Sequence, residues 1–428
     1  MDKRLQDRFL QLEREHMNAA QATAAGLKAL PRTGQAFAAT QATWRFFNNE
    51  RVTLPALVEP LRELGRQALA ESRSSYAMLV HDWSKMDYDG HASKRDLVRL
   101  SNEHDWGYEL TTALLVDAAN GDPLAPLEIS VRAADGIHTT RPDAMRKPIG
   151  HLNQVTLAME ASCTWGLNKT TVHVIDREAD SVKHLRKWAK GGHLFIVRAN
   201  NRRVRHRGQS RLLSEIATTL QSEKAFTFTR EVTLRGKPGQ QFVAQTEIVL
   251  DGPGWTRLPN GKKRRVAGKP LALRLIVVQV RDRCGKLLAE WLLITNVPRD
   301  VSAERIALWY YWRWRIESFH KLLKSAGLQL EFWQQESALA IARRLLVACM
   351  ACVTIWQLER QQTPEAKACQ AFLVRLSGRQ MKRSRPITTP ALLAGLHVLL
   401  VMLEALQNYT PEQILQFAHQ IPLLRLSG

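Results

Sequence analysis

Acidic residues are scarce in this chain. Its 428 residues include 40 Asp and Glu against 61 Lys and Arg, a formal charge of +21 with a pI near 10.2. An excess of that size is more than solubility requires. It makes a polyanion the expected partner, with nucleic acid ahead of an anionic membrane surface. Cysteine is scarce too: Cys163, Cys284, Cys349, Cys352 and Cys369 are few, odd in number and scattered, which argues for a reducing, cytoplasmic setting. Cys349 and Cys352 form a C-x-x-C inside the apolar stretch LLVACMACVTIW, with no second ligand pair nearby. Core packing is therefore expected there in preference to zinc. No basic segment leading into an apolar one follows Met1-Asp2-Lys3-Arg4-Leu5, so no secretory signal is expected. The longest apolar run, Leu345 to Trp356, falls short of the roughly 20 residues that span a bilayer. The stretch from Ala391 to Leu406 contains His397 and Glu404 and reads as a buried helix. Repeats and low-complexity tracts are absent. What remains is a globular composition, 45% hydrophobic and 24% charged, long enough for several domains.

Periodicity divides the chain. Residues 1–74 read as a basic helical region, interrupted at Pro31 and Gly34, with Arg45-Phe46-Phe47-Asn48-Asn49 marking a helix end that enters a turn. A small DNA-binding module and a structural helical cap fit these letters equally well. From Ser75 the pattern changes. YAMLVH (76–81), YELTTALLV (108–116) and LEISV (127–131) read as strands, His151 to Trp165 as a helix, and TVHVI (171–175) as a strand. Asp180 to Ala189 then reads as a helix and LFIVRA (194–199) as another strand. That order predicts an α/β fold with a ribonuclease-H-like mixed sheet. It assigns 75–204 and 297–330 to a catalytic domain. Residues 205–296, with FTFTREVTL, QFVAQTEIVL and LRLIVVQVR, read as an antiparallel β insertion that carries the basic turn Lys262-Lys263-Arg264-Arg265. Residues 331–428 read as a helical C-terminal region with a basic patch at Arg379, Lys382, Arg383 and Arg385.

Three acids stand out. Asp82 directly follows YAMLVH and Asp176 directly follows TVHVI. A carboxylate at the end of a buried strand reaches the sheet edge, where a hard cation and its oxygen ligands would fit. The third lies on a helix expected from Ser302, its N-cap, to about Ser325, with Val301 and Ile306 placed as a hydrophobic staple. At about 100° per residue, Tyr310, Arg313, Glu317 and Lys324 share one narrow stripe. Trp309, Trp312, Ile316, Phe319, Leu322 and Leu323 take the opposite arc, with Arg315 the one charged residue among them. The apolar arc should pack on the sheet and leave the polar stripe to line a groove. A surface Glu317–Arg313 pair, worth a few tenths of a kcal/mol, would not explain why a Tyr and a Lys join it.

The spacing Tyr310-x2-Arg313-x3-Glu317-x6-Lys324 resembles the Y-R-E-K signature of bacterial insertion-sequence transposases, the Tn-five-like, cut-and-paste enzymes with a DDE triad. Asp176-Arg177-Glu178-Ala179-Asp180 is similar to that family's second-aspartate motif, DWSKMDY carries Asp82 where the first belongs, and RFFNNERVT resembles its N-terminal segment. The resemblance implies two Mg²⁺ ions, with Mn²⁺ as the expected substitute, held by Asp82, Asp176 and Glu317, with Asp82 bridging both. It implies phosphate contacts from Tyr310, Arg313, Lys324 and Arg198, and a flipped base stacked on Trp291. Glu178 and Asp180 read as N-terminal charges of the following helix. The implied partners are double-stranded DNA, as inverted-repeat ends and target, and a second copy of the chain in a synaptic homodimer supported by the C-terminal region. The same resemblance leads one to expect a further helix's worth of residues before Asp2. Two other readings stay open: a catalytically silent DNA-binding inhibitor of transposition, and a ribonuclease-H-like nuclease acting on branched or hybrid nucleic acid.

Overall fold

The computed structural model describes residues 3–18, 33–102, 104–142, 149–234, 236–257, 262–379 and 387–420. Pro31, Lys382, Arg383 and Arg385 lie outside them. Three helices come first: α1 (Lys3–Asn18), α2 (Thr33–Phe47) and α3 (Leu54–Ala70). Strands β1 (Tyr76–Asp87), β2 (Val98–Arg99), β3 (Trp106–Asp117), β4 (Pro123–Ala133) and β5 (Gly136–Thr139) lead to α4 (His151–Ser162). Then come β6 (Thr170–Ile175), a 3₁₀ turn over Arg177–Ala179, α5 (Val182–Lys190) and β7 (Leu194–Arg198). The next segment holds β8 (Arg203–His206), β9 (Gln209–Leu212), α6 (Leu213–Ser222), β10 (Thr227–Leu234) and β11 (Lys237–Leu250). It continues with β12 (Gly254–Arg257), β13 (Lys263–Val266), β14 (Leu271–Arg281) and β15 (Leu287–Thr295). The rest is helical: α7 (Ala303–Trp312), α8 (Trp314–Leu323), α9 (Ala338–Arg360), α10 (Pro364–Leu376), α11 (Thr389–Asn408) and α12 (Pro411–His419).

One large mixed sheet organises these elements, in the order β5-β4-β3-β1-β6-β7-β15-β14-β11-β8-β9, with β2 on β3 and β10 on β11. Among the described residues only β1–β6 and β6–β7 pair in parallel; the other ladders are antiparallel. Most strands of the segment 205–296 therefore extend the same sheet, because β15 adds to the edge of β7, while β12 and β13 pair only with each other. This segment also contains α6, a helix the alternating pattern did not reveal.

Side chains alternate across the sheet with a period of two, and each face builds a core. Val172, Val174, Ile196, Ile276, Val278 and Leu293 face the core shared with α1, α3, α7, α8 and α9. Ile175, Phe195, Val197, Leu275, Val277 and Ile294 face the core completed by α4, α5 and α6. Close approach is built into α3, where a Cβ on Gly65 would lie 3.1 Å from Leu127 and 3.3 Å from Ala125. The chain turns after α2 at Asn48 and re-enters a helix at α3, whose N-cap Thr53 accepts from Ala56 N.

The expected buried Cys349 and Cys352 lie in α9, which is buried along most of its length. Its Arg343 donates to Val52 O at 2.7 Å and Phe47 O at 2.6 Å, satisfying carbonyls between α2 and α3. The helix expected near Ala391 to Leu406 is present as α11, but it is buried only at its start. Ala391, Leu392, Leu393 and Gly395 are covered, whereas Met402, Leu403 and Leu406 are exposed. Measured as helices and not as unbroken apolar runs, α9 and α11 are both long and apolar enough to cross a bilayer.

Candidate active site

Parallel pairing of β1 with β6 decides the first two acids. His81 is opposite Ile175, so the next residues, Asp82 and Asp176, stand side by side. Asp82 is not at a strand end as the sequence suggested: β1 runs on to Asp87, and Asp82 sits opposite Thr112 of β3. Being in phase with Val80, it faces the α7–α8 side, while Trp83 packs against the other core. Asp176 caps the 3₁₀ turn by accepting from Arg177 N.

The expected single helix is two. Ser302 does cap it, accepting from Arg305 N at 3.2 Å, and Val301 and Ile306 are buried beside the cap. At Arg313, however, the hydrogen bonding breaks, and its N–H turns to Tyr310 O. Glu317 consequently lies in the first turn of α8, where the partial positive charge of the helix start favours a carboxylate. The apolar arc packs inward as expected, with Trp309, Ile316, Phe319, Leu322 and Leu323 buried. Tyr310 and Arg313 do not line an open groove: they too are buried. A turn from β3 clamps the break. Trp309 Nε1 donates to Ala118 O, Arg315 Nε donates to Gly121 O, and Gly121 (φ +79°) lies against the Trp312 ring.

Burial of Arg313 brings the site together. Its guanidinium is 2.8 Å from Glu317, 3.6 Å from Asp176 and 3.8 Å from Asp82, so all three acids converge on one cation. Its Nε is buried and has no hydrogen-bond partner among the described residues. Burial works against its charge, but Tyr310, Asp176, Glu317 and Asp82 together raise its pKa. Burial pushes the Asp82 carboxyl up to about 6; Arg313 and the Trp83 N–H oppose this, and Glu317 and Asp176 add to it. Tyr310 donates to Asp176 Oδ1 at 3.3 Å, and burial pushes its hydroxyl up to about 12.

The remaining expected residues lie around this centre with other attachments. Lys324 donates to Lys85 O and forms a 2.9 Å ion pair with Glu331, which also accepts from Asp87 N. Arg198 ends β7 opposite Leu293, half-buried, its charge acting on Tyr310. Trp291 lies on β15 opposite Val278, half-buried against the main core. Asp180 is not a helix-end charge. Its side chain is sealed from solvent, paired with Arg202 at 2.7 Å and accepting from Asn200 N, and burial raises its pKa.

Several partners escaped the sequence reading. Trp83 Nε1 donates to Glu178, its ring stacks on His151 at 4.5 Å, and His151 bonds Glu109. His81 and His173, behind the acids, share a 2.9 Å hydrogen bond; burial keeps both neutral, His81 with a pKa of about 3. His320, one turn beyond Glu317, is likewise held to about 3 by burial and reaches Thr112, the residue opposite Asp82. The signal for His81 and His173 was present in the letters: each is a histidine in an otherwise apolar run that an acid directly follows.

The donors around Arg313 are all oxygen, which suits a hard divalent cation. The guanidinium takes the central position, so the carboxylates are gathered around a cation but not closed into a ligand set. Among the described residues, one group does bring three ligand atoms within 4.8 Å of one another: Asp96, Asp135 and His138. Both Asp96 oxygens there already accept, from Tyr108 and from Ala338 N. No protein-family model and no curated protein matches this chain.

Proposed function

We propose that this chain is a DNA transposase of the DDE type, built on a ribonuclease-H-like sheet, that cuts and joins DNA at inverted-repeat ends. One observation carries the reading: carboxylates from β1, the end of β6 and the start of α8 meet around a single buried guanidinium. Asp82, Asp176 and Glu317 would hold two Mg²⁺ ions, with Mn²⁺ as a substitute, and such ions supply Lewis-acid stabilisation and an activated water in phosphoryl transfer. Arg313, planar and bidentate, is suited to bind a phosphate at the cut once the acids bind a different cation. Tyr310 holds Asp176 in place through its hydroxyl, and Arg198 adds positive charge behind it. Lys324 must exchange Glu331 for phosphate to take the role its spacing implies. Trp291 would offer an aromatic face to a base flipped during hairpin formation. The +21 charge supports duplex DNA as partner, a second copy of the chain completes the synaptic assembly, and the setting is the bacterial cytoplasm.

The test uses the protein with DNA carrying the inverted repeats that flank its own reading frame. Mg²⁺-dependent 3′ nicking, then hairpins, is expected. Asp176→Ala and Glu317→Gln should abolish cutting while DNA stays bound; normal cutting by either removes the assignment. The placement of Arg313 among the acids favours a second reading, a catalytically silent DNA-binding inhibitor of transposition, which predicts binding without nicking. Cutting that ignores the repeats and favours branched or hybrid substrates would point to a nuclease instead.

A further inference from the structure

Between β11 and β14 the chain leaves the main sheet and forms a separate two-stranded ribbon, β12–β13. Of its eight strand residues, Arg257, Lys263, Arg264 and Arg265 are basic and none is acidic. The register sets Trp255 opposite Arg265 and Thr256 opposite Arg264. Cross-strand partners share a face, so the Trp255 indole and the Arg265 guanidinium stand on one side of the ribbon and Arg264 on the other. Arg264 and Arg265 are exposed, and Trp255 is 57% exposed, the second most exposed tryptophan among the described residues.

The ribbon is anchored at its base. Arg186 of α5 donates to Leu250 O at 3.2 Å and to Gly252 O at 2.9 Å, just before β12. A Cβ on Gly254 would lie 3.3 Å from that of Lys183. The ribbon therefore rises from α5, whose exposed face adds Lys183, Lys187 and Lys190. That helix begins shortly after Asp176, so the ribbon is tied to the segment that carries one of the three acids. A merely solvated charge run requires neither a held base nor an uncovered indole paired with an arginine.

We propose that β12–β13 is a second DNA-binding element that grips B-form duplex away from the acids; the proposal rests on DNA being the substrate. A two-stranded ribbon fits the major groove. Arg264 and Arg265 on opposite faces would reach the phosphates of the two flanking strands, and Trp255 would pack on sugar and base edges between them.

The test is fluorescence anisotropy of the full chain with a mixed-sequence 30-bp duplex in chelator, over a series of salt concentrations. Each phosphate contact contributes about 0.9 to the slope of log K against log salt. R264A/R265A should lower the slope by about 1.8, R264K/R265K should restore it, and Trp255→Ala should weaken binding several-fold without changing it. An unchanged slope in R264A/R265A overturns the proposal. Because no divalent ion is present, a protein that fails to nick can still pass this test. A protein that nicks its ends yet keeps its slope overturns the ribbon alone, and one that binds no duplex overturns both readings.

Discussion

Replacing Asp82 with asparagine should stabilise the metal-free protein. Burial raises this carboxyl from 3.8 to about 6 in the folded chain, while the unfolded chain returns it to its ordinary value. At about 1.4 kcal/mol per tenfold change in proton affinity, the ionised form costs the fold about 3 kcal/mol. The sign follows from proton counts. Between the two pKa values the folded state binds more protons, so stability falls as pH rises through that window. The cost is absent below the unfolded pKa and complete above the folded one. The substituted amide is neutral at every pH and keeps the shape of the protonated acid, while Arg313 retains Glu317 at 2.8 Å. Urea denaturation in chelator should therefore show a gain of about 2–3 kcal/mol for Asp82→Asn near neutral pH, shrinking towards zero at about pH 4. Added Mg²⁺ should then stabilise the parent and leave the variant behind. No gain at neutral pH, or a gain of the same size in acid, would refute the argument.

Three further outcomes test other parts of the structure. Gly121→Ala places a Cβ 2.4 Å from the Trp312 ring at φ +79°; it should cost about 2–5 kcal/mol in urea denaturation and reduce nicking by displacing the α7–α8 junction. Arg343→Ala strands two buried carbonyls, Val52 O and Phe47 O, and should cost about 2–4 kcal/mol, measured in the same way. In cutting assays Trp291→Ala should reduce hairpin formation more than the first nick; an equal loss of both would remove the stacking role.

Much of the local structure was legible in the letters. TVHVI and LFIVR lie in strands whose alternate side chains serve two cores, YAMLVH in a strand whose Ala77–Val80 are buried in one of them, and Ser302 caps a helix because its hydroxyl meets an otherwise unpaired N–H. The limits of single-residue reasoning show at Asp82, placed at a strand end because the apolar run stops there, though the backbone ladder with Thr112 and its neighbours continues. They show again at Asp180, read as a helix charge because its partner Arg202 could not be seen. α11 carries a similar error: an apolar composition states what a helix could bury, not whether anything covers it.

Composition and periodicity by themselves determined the charge, the mixed strand–helix order and the residue types that share a stripe on the last helices, because these depend on spacing along one segment. Only the tertiary structure decided that the helix breaks at Arg313, that its guanidinium sits among Asp82, Asp176 and Glu317, and that Lys324 is taken by Glu331. Those pairings join segments far apart in the chain, and they are set by strand register and by the cost of burying a charge without a partner.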